Sequence, residues 1–128
     1  MIYVDTSVAL AYLLAEGRKP SEAWWRQPLV ASRLVEYETW NRLNERRLGS
    51  SYGERARALI GRLAMVELEP RVLARALEPF PTPVRPLDAL HLATIEFLRG
   101  QNQDVELASY DVRLNTAAAA LHLRVQVP

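Results

Sequence analysis

Residues 2–14 read Ile2-Tyr3-Val4-Asp5-Thr6-Ser7-Val8-Ala9-Leu10-Ala11-Tyr12-Leu13-Leu14, and the fold turns on this stretch. Ile2-Tyr3-Val4 is short, apolar and β-prone, and it stops at an acid. Thr6 offers a helix N-cap, and Val8 to Leu14 follow as an apolar helical run that Gly17 is expected to end. If the remainder of the chain repeats strand then helix, the sheet is parallel and covered on both faces.

Outward from this opening the alternation holds. Pro20-Ser21-Glu22 opens a short helix carrying Trp24 and Trp25, and Leu29-Val30-Ala31 is continuously apolar, as buried parallel strands tend to be. Ser32 is placed to cap a long helix to about Leu48, with Gly49 as its stop. A second amphipathic helix is expected from Gly53 to Ala64, with Ala58, Leu59 and Leu63 on its apolar side. Met65 to Glu69 alternates like a strand, and Pro70 starts a short helix through Leu77. Residues 79–86 hold four prolines and read as extended loop. Leu87 to Arg99 is apolar almost all round, which predicts a buried helix. A strand from Glu106 to Tyr110 ends at Asp111, and a helix from Val112 to Leu121 precedes a closing strand, Leu123 to Val127. With right-handed crossovers this is a three-layer α/β/α sandwich with a mainly parallel central sheet. No repeat and no linker divides the chain, so residues 1–128 are expected to form a single domain.

Composition narrows the function classes. At 128 residues there is room for one core, and 49% hydrophobic with 24% charged residues is ordinary for a water-soluble domain. The absence of cysteine excludes disulfides and thiolate metal sites and fits a reducing cytosol. No apolar run approaches the ~20 residues that span a bilayer. The opening run reads as a core strand rather than a basic leader, so nothing upstream is expected to be missing. A net charge of +1 gives no bulk attraction to nucleic acid. The cations are fifteen Arg and a single Lys, Lys19. Arg is the better fork for phosphate, so any nucleic-acid surface must be local.

The acids carry the chemistry. Asp5 and Asp111 fall at the carboxyl ends of two strands, where open α/β sheets place their ligands. Asp88 lies in the first turn of the buried helix, and Glu38 in the second turn of the helix that begins beyond Leu29-Val30-Ala31. All four can point at one edge of the sheet. Anions gathered so closely repel one another, and a hard divalent cation relieves that repulsion through oxygen ligands. Each acid also has a plain structural role open to it. Asp5 and Asp111 can cap helices, Asp88 can complement a helix dipole, and Glu38 can pair with Arg42 one turn on.

Four segments resemble the PIN domain, and within it the VapC-like toxins of type II toxin–antitoxin pairs. They are Ile2-Tyr3-Val4-Asp5-Thr6-Ser7, Ser32-Arg33-Leu34-Val35-Glu36-Tyr37-Glu38, Leu87-Asp88-Ala89-Leu90-His91-Leu92-Ala93-Thr94 and Ala108-Ser109-Tyr110-Asp111-Val112-Arg113-Leu114. The third is the most specific, and the four fall in family order over nearly the whole chain. Ser109 stands where Thr is commoner, and the proline-rich segment before Asp88 is individual to this chain. The resemblance implies a cytoplasmic endoribonuclease that uses Mg²⁺ or Mn²⁺, with Asp5, Glu38, Asp88 and Asp111 as the acidic set. It also implies a homodimer restrained by an antitoxin protein, acting on RNA and not on a membrane. The alternative is a non-catalytic PIN-like module that binds RNA or a partner.

Other residues have roles to weigh. Thr6 can hydrogen-bond an adjacent carboxylate or cap its helix, and Ser109 keeps a hydroxyl beside the strand-end acids. His91 follows Asp88 by one helical turn and reads as a hydrogen-bonded core histidine rather than a metal ligand. Arg42 and Arg46 continue the helix of Glu38, and Arg113 follows Asp111; each is a candidate for RNA phosphate. Two adjacent tryptophans on one short helix cannot both face inward, so Trp24 or Trp25 is expected near the surface, as a partner site or a half-buried group. A signalling receiver would need a Lys near the acids, and Lys19 lies in an early loop. A strand-end Asp phosphatase would need a second Asp where Ser7 stands.

Overall fold

The computed structural model describes residues 1–128. Five strands, β1 Ile2–Val4, β2 Leu29–Ser32, β3 Ala64–Val66, β4 Glu106–Ala108 and β5 Arg124–Gln126, form one sheet in the order β3-β2-β1-β4-β5. Every neighbouring pair is parallel, with Ile2 opposite both Leu29 and Glu106. The helices are α1 Thr6–Leu13, α2 Glu22–Trp25, α3 Leu34–Glu45, α4 Gly49–Ile60, α5 Pro70–Ala76, α6 Pro86–Gly100 and α7 Val112–Ala120.

Strand alternation divides the core in two. Val4, Leu29, Ala31 and Ala108 face a cluster built with Val8 and Leu13 of α1, Val35 and Leu43 of α3, and Ala56 and Leu59 of α4. Tyr3, Val30 and Leu107 face the opposite cluster, built with Leu92 and Ile95 of α6 and Leu114, Ala117 and Ala118 of α7. The inner strands β1, β2 and β4 therefore carry buried residues on both faces, whereas the edge strands β3 and β5 stay partly exposed. The chain leaves β1 in one direction for β2 and β3, then returns to its other side for β4 and β5. Strand order thus reverses between β1 and β4, and a crevice opens beyond their carboxyl ends.

Several boundaries differ from the sequence reading, for physical reasons. Asp5, not Thr6, is the N-cap of α1: its carboxylate accepts from the Ser7 amide while Thr6 already lies in the helix. Helix α1 ends before Gly17, with Ala15 in the left-handed region (φ 52°) and the Glu16 amide donating to the Ala11 carbonyl at 3.0 Å. Helix α3 stops early in the same manner. Arg47 takes φ 57° and the Leu48 amide reaches back to Leu43 at 2.8 Å, a C-terminal cap that usually carries glycine. Gly49 is therefore the first residue of α4 rather than a stop. Ser32 closes β2, and its hydroxyl accepts from the Leu34 amide. Ala58 is exposed, whereas Gly53 and Ala56 form the buried side of α4. A Cβ at Gly53 would lie 3.2 Å from the Trp40 ring, so glycine is what lets α4 approach α3 so closely.

The tryptophans divide as expected. Trp25 is buried against Tyr12, with ring centroids 4.9 Å apart. Trp24 is half-buried and donates its indole N–H to Gln126 of β5 at 2.7 Å, so it stitches α2 to the sheet edge. The proline-rich segment ends at Pro86, which forms the first turn of α6 with Arg85 as its N-cap.

Candidate metal centre at the sheet switch point

The two turns beside the reversal are knitted together by hydroxyls. Asp5 is almost wholly buried, and its Oδ2 accepts from the Ser7 hydroxyl at 2.6 Å and the Ser109 hydroxyl at 2.9 Å. The same hydroxyls accept in turn, Ser7 from the Tyr110 amide at 3.0 Å and Ser109 from the Asp111 amide at 2.9 Å. Asp111 caps α7 through Oδ1, which accepts from the amides of Arg113 and Leu114. One carboxylate oxygen of Asp111 is thereby spent on the helix and the other is left to the cleft.

Glu38 arrives from α3. It turns to Thr6, whose hydroxyl donates at 2.8 Å, and to His91 Nε2 at 2.7 Å, rather than to Arg42. His91 is fully buried and its Nδ1 meets the Tyr3 hydroxyl at 2.6 Å. Its Nε2 also lies 3.7 Å from Asp5 Oδ1. Burial alone would lower the imidazole pKa; the Glu38 hydrogen bond and the charges of Asp5, Glu38 and Asp88 outweigh it and raise His91. Burial likewise lifts Tyr3 well above the usual phenol range, with Asp5 adding to the effect, so Tyr3 stays neutral.

Asp88 and Asp111 share a different cation. Arg85 Nε donates to Asp88 Oδ2 at 2.6 Å, and a second nitrogen of the same guanidinium donates to Asp111 Oδ2. Burial raises Asp88 despite this bond. For Asp111 burial pushes up as well, but Arg85 and the helix amides prevail and hold it below the ordinary carboxylate value.

All four expected acids, Asp5, Glu38, Asp88 and Asp111, line one cleft of about 750 Å³, together with Thr6, Ser7, Arg18, Arg42, Arg85 and Tyr110. As they stand, no three carboxylate or imidazole groups gather closely enough to hold one metal ion. Two observations bear on the fit. The donors are hard oxygens of the type Mg²⁺ and Mn²⁺ prefer. A guanidinium, moreover, already bridges two of them as a stand-in cation, so the pair is arranged to share positive charge. The chemistry fits, provided Arg85 gives way.

Of the arginines expected to meet phosphate, Arg42 lines the cleft, whereas Arg46 is exposed at the C-terminal cap of α3 and lies outside its lining. Arg113 lines an adjoining hollow with Thr82 and Thr116. Sequence reasoning missed Arg85 and Arg18. The three-residue spacing from Arg85 to Asp88 was a usable signal for the first pairing. Its reach to Asp111 depends on tertiary structure and left none. Arg18 lies over the Tyr110 ring, 5.1 Å from its centroid, again through a long-range contact.

A doubly wound α/β/α domain with convergent acids at its switch point defines a class of charge-lined strand-end sites. The chain belongs to the PIN-domain family, whose model matches residues 2–120. It is 30% identical over 131 residues to ribonuclease VapC46 of Mycobacterium tuberculosis, covering 99% of this chain and 97% of that one. To ribonuclease VapC35 of the same species it is 33% identical over 135 residues, covering 100% and 97%. Among solved structures, a toxin–antitoxin complex from Klebsiella pneumoniae superposes with TM-score 0.70 at 16% identity, over 100% of this chain and 98% of that one. A protein of Pyrobaculum aerophilum gives TM-score 0.67 at 20% identity, over 97% and 81%. These likenesses show the fold. No helix is long and apolar enough to cross a membrane.

Proposed function

We propose that residues 1–128 act as one PIN domain, a metal-dependent endoribonuclease that is the toxin of a toxin–antitoxin pair, with Asp5, Glu38, Asp88 and Asp111 as the metal-holding set. The observation that carries the reading is the convergence of four acids, from four separate elements, on one cleft at the switch point. Bound Mg²⁺ or Mn²⁺ supplies an activated water and offsets charge on the leaving oxygen of a phosphodiester. The protein's part is positioning. Ser7 and Ser109 fix Asp5, Thr6 and His91 fix Glu38, and the α7 amides fix Asp111. Arg18 and Arg42 line the same cleft and are suited to RNA phosphate, with Arg113 serving the adjoining hollow. The antitoxin is the expected protein partner, a homodimer the expected assembly, and the cytoplasm the expected site of action.

One observation favours the non-catalytic module instead: no three donors are gathered as the side chains stand. The test is cleavage of total RNA with Mn²⁺, with Mn²⁺ plus chelator, and with Asp5→Asn and Asp88→Asn. Cleavage that needs the metal and disappears in both variants supports the nuclease. Tight RNA binding without cleavage at any metal concentration supports the module.

A further inference from the structure

Arg85 is the feature that the nuclease reading leaves unused. It stands between the two acids on which that reading depends, and it reaches both with one planar group. We propose that Arg85 is a built-in counter-ion that competes with the divalent cation for Asp88 and Asp111, so that metal enters only as the guanidinium leaves.

The inference rests on the metal-centre reading above and on three further observations. The first is position. Arg85 precedes Pro86 and is the N-cap of α6, with extended backbone (φ −74°, ψ 155°) that the following proline favours. A helix N-terminus is electropositive and disfavours a cation. The only hydrogen bonds the Arg85 guanidinium makes are to Asp88 and Asp111, so those carboxylates alone hold the side chain there. As a guanidinium, Arg85 is charged at every physiological pH.

The second observation is accessibility. The Arg85 side chain is 45% exposed, so withdrawing to water costs it little, whereas Asp88 is only 13% exposed and remains behind. The third is room to move. The hollow lined by Thr82, Arg113 and Thr116 has a volume of about 470 Å³ and shares Arg85 and Asp88 with the main cleft. Arg85 is thus a movable wall between two open spaces. While metal is absent it offsets the repulsion between Asp88 and Asp111. When metal arrives, the same two oxygens must exchange one partner for the other.

The test is Mn²⁺ titration calorimetry of the full chain without RNA, on wild type, Arg85→Gln, Arg85→Lys and Asp88→Asn, with circular dichroism to confirm folding. Two partly exposed charge pairs must be broken for metal to bind, so Arg85→Gln should bind Mn²⁺ about tenfold more tightly. Arg85→Lys keeps the charge but not the two-pronged reach, and should fall between; if the Gln variant does not fold, tighter binding by the Lys variant carries the same conclusion. Metal-free Arg85→Gln should also melt lower than wild type and gain more from added Mn²⁺. Wild-type or weaker affinity in both Arg85 variants, with binding lost in Asp88→Asn, overturns the competition and leaves the metal centre standing. Equal binding by wild type and Asp88→Asn removes the metal centre itself.

Discussion

Replacing His91 with leucine separates the two jobs of the imidazole. Leucine has similar bulk and suits the middle of α6, so helix propensity and packing change little. What is lost is a pair of hydrogen bonds, to the Tyr3 hydroxyl at 2.6 Å and to Glu38 at 2.7 Å. Glu38 keeps Thr6 and faces the cleft, so its loss is modest. Tyr3 has no exposed surface, and a buried hydroxyl stripped of its partner costs about 1–3 kcal/mol. The total should be roughly 2–3 kcal/mol, or a fall in Tm of about 10 °C for a domain of this size. Urea or thermal unfolding in chelator measures it. The decisive comparison is Tyr3→Phe combined with His91→Leu, which removes both partners and should recover more than half of the loss. If His91→Leu lies within ~0.5 kcal/mol of wild type, or the double variant is no more stable than His91→Leu alone, the buried relay is not a structural link.

Further outcomes follow from other contacts. Because folding raises His91 above its ordinary value near 6.5, its stabilisation is complete below that pH and is lost as pH climbs through the folded value. The metal-free protein should therefore lose stability across that window, and His91→Gln should flatten the profile. Ser109→Ala leaves the part-buried Asp111 amide without its acceptor and removes a donor from Asp5; a loss of about 1–2 kcal/mol together with weaker Mn²⁺ binding is expected, with Ser109→Thr preserving both. Arg75 pairs with Glu96 and lies 4.1 Å from the centroid of Phe80, so Arg75→Ala should cost about 1–2 kcal/mol by urea titration while RNA cleavage is unchanged. Ala15→Gly and His122→Gly relieve left-handed backbone at two helix ends (φ 52° and 60°) and should each add about 0.5–1 kcal/mol in the same assay.

The parts of this fold that were legible in the sequence are those set by local chemistry. Strands β1, β2 and β4 are recognisable because they carry buried residues on both faces and their residues are mostly apolar. Asp5, Asp88 and Asp111 stood out because each follows a strand or opens a helix, and Glu38 because it lies in the second turn of the helix after β2. What escaped was set at a distance or by unmarked backbone. The end of α3 at Arg47 carries no glycine, so Gly49 drew the boundary to itself although it opens the next helix. Gly53 looked like a helix start and is instead the gap into which Trp40 fits. Thr6 resembled a cap, yet the carboxylate before it performs that task and leaves the hydroxyl for Glu38. The grip of Arg85 on Asp111 belongs to tertiary structure alone.

The place of β1 in the sheet has a consequence for the way the protein is made. This first strand is the central one, and its neighbour on the far side, β4, comes from Glu106–Ala108. Until that late segment leaves the ribosome and docks, Asp5 lacks the Ser109 hydroxyl and the cleft lacks the wall that Asp111 provides. A chain that has not yet supplied residues 106–111 holds three of the four cleft acids without the fourth, so the proposed site should assemble only after that segment has docked beside β1.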